Sequence, residues 1–157
     1  MLSKIKPYAI SILIALAVGG LSALLTRNSM NIYNEIITPP LSPPSILFPI
    51  VWTILYVLMG ISAAMVYKED SAPFKDRVSA ISTYASSLVV NFAWSIIFFN
   101  MRAFLFAFIW LLFLLFLIVK TIIAYEKIKP IAAYLQIPYA VWVAFAGYLN
   151  FAIWLLN

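Results

Sequence analysis

The sequence predicts an all-α membrane protein, a five-transmembrane-helix bundle with its N-terminus cytoplasmic and its C-terminus outside. Three observations lead there. The 157 residues are 66% hydrophobic and only 10% charged, where soluble domains hold about 45–50% apolar and about 25% charged residues. Five uncharged or nearly uncharged stretches are each long enough to cross roughly 30 Å of hydrocarbon at about 1.5 Å per residue. The basic residues gather between these stretches and mostly on one side of the bundle they imply. The net charge of +5 therefore reads as membrane topology, with lipid as the surrounding partner and no nucleic acid, because the cations form no continuous face.

The spans follow in order within one domain, residues 1–157. Lys4 and Lys6 precede the first, residues 7–26. A cleaved signal peptide ending near Ala15-Leu16-Ala17 is the competing reading, disfavoured because the apolar run continues well past that site. Residues 27–44 form a long polar, proline-rich loop, and loops of this length tend to be lids or binding elements. Pro39, Pro40, Pro43 and Pro44 lack the backbone N–H a helix interior needs, so they make a stiff, partly extended linker. Ser45 is then the expected N-cap of span two, residues 45–67. Residues 68–77 are densely charged and belong in water. Span three is residues 78–101. Arg102 sits in a turn so short that spans three and four, the latter residues 103–125, must be antiparallel neighbours. Span five is residues 131–157, with Pro138 expected to kink it.

Five spans put the termini on opposite sides. The N-terminal side then carries Lys4, Lys6, Lys68, Lys75, Arg77, Lys120, Lys127 and Lys129, and the other side only Arg27 and Arg102. That asymmetry makes the N-terminus cytoplasmic and sets the loop and the C-terminus outside. Gly19/Ala23 and Gly60/Ala64 are small-xxx-small pairs that permit close helix approach, read first as packing within the bundle and second as a homodimer seam.

Depth along each helix places the tryptophans in the outer half of the membrane or at its middle, under the loop. Trp52 falls roughly 10 Å below the outer mouth of its span, and Asn91 and Trp94 roughly 9–14 Å below theirs. Phe48, Trp52 and Tyr56 make one i±4 stripe. Tyr84, Ser87, Asn91, Trp94 and Phe98 make a second, and Pro138, Trp142, Ala146 and Asn150 a third. An aromatic belt or core packing explains many of these rings. Asn91 and Asn150 are harder to explain so, because an amide facing lipid needs a partner or a cavity. Aromatic walls with a few amides and hydroxyls, closed by a proline lid, suit a planar apolar ligand.

The chain has no His and no Cys, which removes disulfides, thiol chemistry, zinc sites and the commonest haem ligands. No metal site is expected; only Met59 or a tyrosine near the pocket remains as a haem-iron ligand. No carboxylate pair, Ser/His/Asp set or phosphate loop is present. A drug–proton antiporter is disfavoured, since it normally needs an intramembrane carboxylate.

Three motifs carry a family resemblance: P-x-x-S-P-P with F-P-x-V-W-T-x-L-Y-x-x-M-G from Pro39 to Gly60, N-x-A-W-S-x-x-F-F-x-x-R from Asn91 to Arg102, and P-Y-x-x-W-x-A-F-A-x-x-L-N from Pro138 to Asn150. Over nearly its whole length the chain resembles the TspO/translocator protein family, also called tryptophan-rich sensory proteins or peripheral benzodiazepine receptors. The resemblance implies a five-helix bundle with a pocket under the first loop for porphyrins and synthetic isoquinoline or benzodiazepine-type ligands. By position it points to Ser22, Tyr33, Pro43, Trp52, Asn91, Phe92, Trp142 and Ala146 as pocket residues, to which the stripes add Tyr56 and Trp94. The chain departs from the family at Ile32, at Leu41-Ser42, where lid tryptophans are usual, and at Trp110, where relatives often carry an acid. Phe151 is followed by no basic residue, so sterol binding is not expected.

The resulting expectation is a receptor or sensor of the bacterial inner membrane that binds porphyrin-type tetrapyrroles as ligands and needs no cofactor. The ligand would sit between Trp52 and Trp142, hydrogen-bonded by Asn91. The alternatives are a light- and oxygen-dependent porphyrin-degrading enzyme, with Trp52 and Trp142 as its catalytic residues, and a transporter of the same ligands.

Overall fold

The computed structural model describes residues 2–29 and 31–157. Among these residues all regular structure is helical, without strands. Five helices are long and apolar enough to cross a membrane. Helix α1 (Leu2–Thr26) starts ahead of the expected span and carries Pro7 inside it, near enough to the N-terminus that the missing N–H costs one early hydrogen bond. A 3₁₀ turn (Arg27–Ser29) and the short helix α2 (Ile32–Glu35) open the loop. Helix α3 spans Leu47–Lys68, α4 spans Phe74–Ser95, α5 spans Phe104–Ile128 and α6 spans Pro130–Leu156.

Three local expectations are corrected. Ser45 does not cap α3: the N-cap is Ile46, and Ser45 instead accepts the Phe48 N–H with its carbonyl in a turn. With Pro49 in the first turn, one of the orphan donors is missing by chemistry and a side-chain cap has less to satisfy. Helix α4 starts at Phe74 behind Pro73, so Lys75, Asp76 and Arg77 form its first turn and do not belong to the preceding loop. Its far end is not α-helical: Ile96–Asn100 form a π turn, closed by the Met101 N–H on the Ile96 carbonyl at 3.0 Å. Pro138 lies within a single continuous helix assignment, on an exposed face.

The helices close into a ring in the order α1, α3, α6, α5, α4 and back to α1, with the α5–α6 contact the most extensive. Helices α1 and α3 cross at Ile12 and Gly60, where a side chain on the glycine would meet Ile12 backbone at 2.5 Å from Cα. In the half away from the loop, the Ser62 hydroxyl donates to the Ala132 carbonyl (2.8 Å) and the Gln136 amide donates to the Ser62 hydroxyl (3.3 Å), joining α3 to α6. At that end Lys129 pairs with Glu69 at 3.3 Å.

The loop is held over the opposite end. The Tyr33 hydroxyl donates to the Pro43 carbonyl (2.8 Å), and Tyr148 of α6 donates to the Pro40 carbonyl (2.7 Å). The Asn157 amide accepts from the Ile37 N–H (3.0 Å) and donates to the Ile37 carbonyl (2.9 Å). Arg102 pairs with Glu35 at 2.8 Å. Leu41 and Arg102 turn the chain with φ of 70° and 50°, left-handed values for which a non-glycine residue pays of order 1–2 kcal/mol.

Candidate functional site

Beneath this loop lies a cavity of about 580 Å³ walled by α1, α3, α4 and α6. Helix α5 contributes nothing to its lining. From α3 come Phe48, Trp52 and Tyr56, from α4 Asn91, Trp94 and Phe98, and from α6 Ala146, Leu149, Asn150 and Ile153. Helix α1 supplies a low wall of Leu16, Gly19, Gly20 and Ala23 at helical spacing, with Ser22 and Thr26 beside it. Among the described residues no charged side chain lines the cavity. It offers aromatic faces, a few amides and hydroxyls, and no ionised acid or base.

Each polar group near its floor is oriented by a neighbour. Asn91 donates its amide N–H to the Tyr56 hydroxyl at 3.1 Å, tying α4 to α3. The Tyr56 ring lies against Gly19: a Cβ there would come within 2.7 Å of Tyr56 Cδ2, so only glycine leaves room for this ring at the cavity wall. Trp52 stacks on Tyr56 with centroids 5.6 Å apart and meets the edge of Tyr139 at 6.3 Å. The Trp94 indole N–H donates to the Asn150 carbonyl oxygen (3.0 Å), and the Asn150 amide donates to the Phe104 carbonyl (2.8 Å). One buried amide thus joins α4, α5 and α6 and turns the Trp94 face toward the cavity. The π turn brings Phe98 and Phe99 together against Trp94, at 5.3 and 6.2 Å from it and 5.0 Å from each other. Both phenylalanines line the space, as a widened turn beside a pocket often allows.

Of the residues expected at a site, Ser22, Tyr33, Trp52, Tyr56, Asn91, Trp94 and Ala146 meet around this one cavity. Pro43, Phe92 and Trp142 do not line it. Pro43 sits in the roof and holds Tyr33 through its carbonyl. Phe92 is half-buried, one residue and about 100° around the helix from Asn91. Trp142 packs edge-on against Phe48 at 5.9 Å and backs the wall from outside. Of the two indoles expected to flank a ligand, Trp52 therefore lines the cavity and Trp142 lies behind Phe48. The physical reason is drift: steps of four residues turn about 40° each, so the stripe from Pro138 to Asn150 rotates by about 120°. Only Ala146 and Asn150 of that stripe face inward. Met59 is wholly buried in the core and is not a lining residue.

Of α1, the sequence marks only Ser22 as a site residue, yet the helix forms a whole wall. Its signal was present as small residues at 19, 20 and 23 following Leu16, one face of the helix. Leu149 and Ile153 carry no such signal, being indistinguishable from lipid-facing residues by type. Asn31 and Asn34 at the loop and Thr53 on α3 also line the cavity.

The chain matches the model of the TspO/MBR family over residues 11–155. It is 35% identical to the tryptophan-rich protein TspO of Chlorobaculum tepidum, over all of this chain and 99% of that protein. It is 35% identical to the translocator protein of Bos taurus across 87% of this chain and 81% of the bovine one. With the tryptophan-rich sensory protein of Cereibacter sphaeroides it shares 30% identity over 80% of this chain and 76% of the relative. Five spanning helices, a loop-covered aromatic cavity and these matches along nearly the full sequence make this integral membrane protein a member of the TspO/MBR family.

Proposed function

We propose that this chain is a receptor or sensor that binds porphyrin-type tetrapyrroles, and similar planar apolar molecules, in the cavity under the loop. The observation that carries the reading is the cavity itself. Its volume of about 580 Å³ is within the roughly 300–1,000 Å³ usual for small-molecule sites, and its walls are aromatic rings with a few amides and hydroxyls. A macrocycle buries both faces and needs few polar contacts, which Trp52, Trp94 and Phe98 on one side of the chemistry and Asn91 and Tyr56 on the other can supply. The names of relatives, tryptophan-rich sensory protein and translocator protein, agree with a small-molecule receptor. The eight-to-two basic asymmetry supports a bacterial inner-membrane orientation with the loop facing out.

The test is a titration of metal-free protoporphyrin, read by tryptophan quenching and the Soret shift. Saturable binding is expected, weakened about three- to tenfold by Trp52→Phe, since one aromatic stacking contact contributes about 0.5–1.5 kcal/mol beyond area burial. Trp142→Phe acts through Phe48 and has the smaller effect. Absence of saturable binding in the native protein overturns the reading. Illuminating the complex in oxygen and finding a new product spectrum that turns over would move the conclusion to a porphyrin-degrading enzyme.

A further inference from the structure

The exposed residues of the cavity lining are not spread around its rim. Lining residues from α4 and α6 are buried or half-buried, whereas those open to the surroundings are Gly20 and Ala23 on α1, Asn31 and Asn34 in the loop, and Ser45, Ile46, Pro49 and Thr53 at the start of α3. Together they border a slot between the loop-side halves of α1 and α3. Just outside it lie Leu21 and Leu24 on one helix and Ile50 and Ile54 on the other, all about half exposed or more, as lipid-facing residues are.

The roof and the neighbouring α1–α4 seam are fastened. The roof is anchored at Tyr148 and Asn157 of α6 and at Arg102 of the α4–α5 turn. The gap between α1 and α4 is bridged by Asn100, whose amide donates to the Leu25 carbonyl at 3.1 Å. Below, α1 and α3 close on each other at Gly60 and Ile12. Among the described residues no hydrogen bond or ion pair bridges the upper α1–α3 gap, and the upper α3–α6 seam is filled by the Phe48–Trp142 and Trp52–Tyr139 ring contacts.

We propose that this slot is a lateral portal through which the ligand passes between the cavity and the bilayer leaflet at the loop end, without the roof opening. The proposal rests on the reading of the cavity as a binding site. The rim also states what the portal admits. Its upper part is polar, at Asn31, Asn34 and Ser45, and its lower part is apolar and low, at Gly20, Ala23 and Pro49. A flat molecule with an apolar body and one polar edge already lies in a leaflet with that edge at the headgroups. It passes through the slot in the same orientation, its edge sliding along amides and a hydroxyl while its body moves from lipid to aromatic walls. A ligand polar at both ends gains nothing from this route.

The native chain lacks cysteine, so Ala23→Cys with Thr53→Cys gives a unique pair that a bridging bis-methanethiosulfonate joins and reductant releases. Protoporphyrin already dissolved in phospholipid vesicles is the probe, and exchange is followed by its fluorescence. Bridging should slow association and dissociation together by about tenfold or more, and porphyrin loaded before bridging should stay until reductant is added. A single Thr53→Cys carrying a bulky maleimide should slow exchange in the same direction relative to its methylthio form, which covers failure of the double variant to fold. Exchange at the unbridged rate, or loss of preloaded porphyrin on bridging, overturns the portal. So does faster entry on cutting the roof anchors with Tyr148→Phe and Asn157→Ala, which places the route overhead. A native protein that binds no porphyrin fails at the earlier step and is recognised before any bridge is made.

Discussion

The α1–α3 seam predicts opposite outcomes for the same substitution at two glycines. Glycine to alanine in a helix interior is favourable by about 0.5–1 kcal/mol from backbone entropy and propensity. At Gly20 an added Cβ meets nothing within 4 Å, so Gly20→Ala should keep that gain. At Gly60 the same Cβ would sit 2.5 Å from Ile12 Cα and 2.8 Å from its N, and backbone atoms cannot turn aside as a side-chain tip does. Reaching an ordinary carbon–carbon contact of about 3.5 Å requires the helices to part by about 1 Å, and a gap of that size forfeits roughly a quarter to a half of each contact's attraction along the seam. Overpacking of this kind costs about 1–3 kcal/mol. Subtracting the propensity gain leaves Gly60→Ala less stable by about 1–2 kcal/mol. At about 2–4 °C per kcal/mol for a chain of this size, thermal unfolding in detergent should show a fall of about 2–8 °C for Gly60→Ala and a rise of about 1–4 °C for Gly20→Ala. A Gly60→Ala protein as stable as the native one would refute the backbone contact, and with it the closed lower end of the slot.

Replacing Asn150 by Leu strands the buried Trp94 N–H and removes a second bond from the Phe104 carbonyl, which keeps its partner in α5. A buried unpaired donor costs about 1–3 kcal/mol, so Asn150→Leu should lower the melting temperature; an unchanged melting point would mean the indole finds another partner. At the far end, the Ser71 hydroxyl first and Lys129 second hold the Glu69 carboxyl below the usual carboxylate range. Its stabilising contribution is therefore present above the ordinary carboxylate pKa and is lost as pH falls through the lowered one. The melting temperatures of native and Glu69→Gln protein should differ slightly at neutral pH and converge as acidification passes below the ordinary carboxylate range, and a difference that widens on acidification would contradict the assignment. Reporter fusions at residue 157 and at the N-terminus should report outside and cytoplasm respectively, and the reverse pattern would overturn the orientation drawn from the basic residues.

Hydropathy made the five helices legible, because each is defined by a property that residues carry individually. What escaped the sequence were relations between helices. The pairing of Ile37 with Asn157 and of Pro40 with Tyr148 joins positions more than a hundred residues apart, and no local pattern marks them. Half the cavity was legible for the opposite reason: Trp52, Tyr56, Asn91 and Trp94 are large or polar residues in an apolar run and draw notice by type. Gly19 reads in the sequence only as a packing residue and Gly20 is not marked even as that, although one makes room for a ring and the other leaves open space. Trp142 shows the limit of a stripe drawn every fourth residue, since each step drifts by about 40° and Trp142, one step from Ala146 and two from Asn150, already lies behind Phe48. The π turn was invisible, as Ile96–Asn100 reads like any other apolar helix end.

That π turn stores one surplus residue in the α4 backbone. A single-residue deletion between 96 and 99 would let the turn relax to α-helix, and because a π turn takes up its extra residue within about the same rotation as an α turn, what lies beyond would stay close to its place. Asn100 would still reach the Leu25 carbonyl and Arg102 would still reach Glu35. What would be lost is the local widening that lets both Phe98 and Phe99 reach the cavity beside Trp94. Chain length in this segment thus sets the aromatic wall and leaves the fastenings around the vestibule untouched.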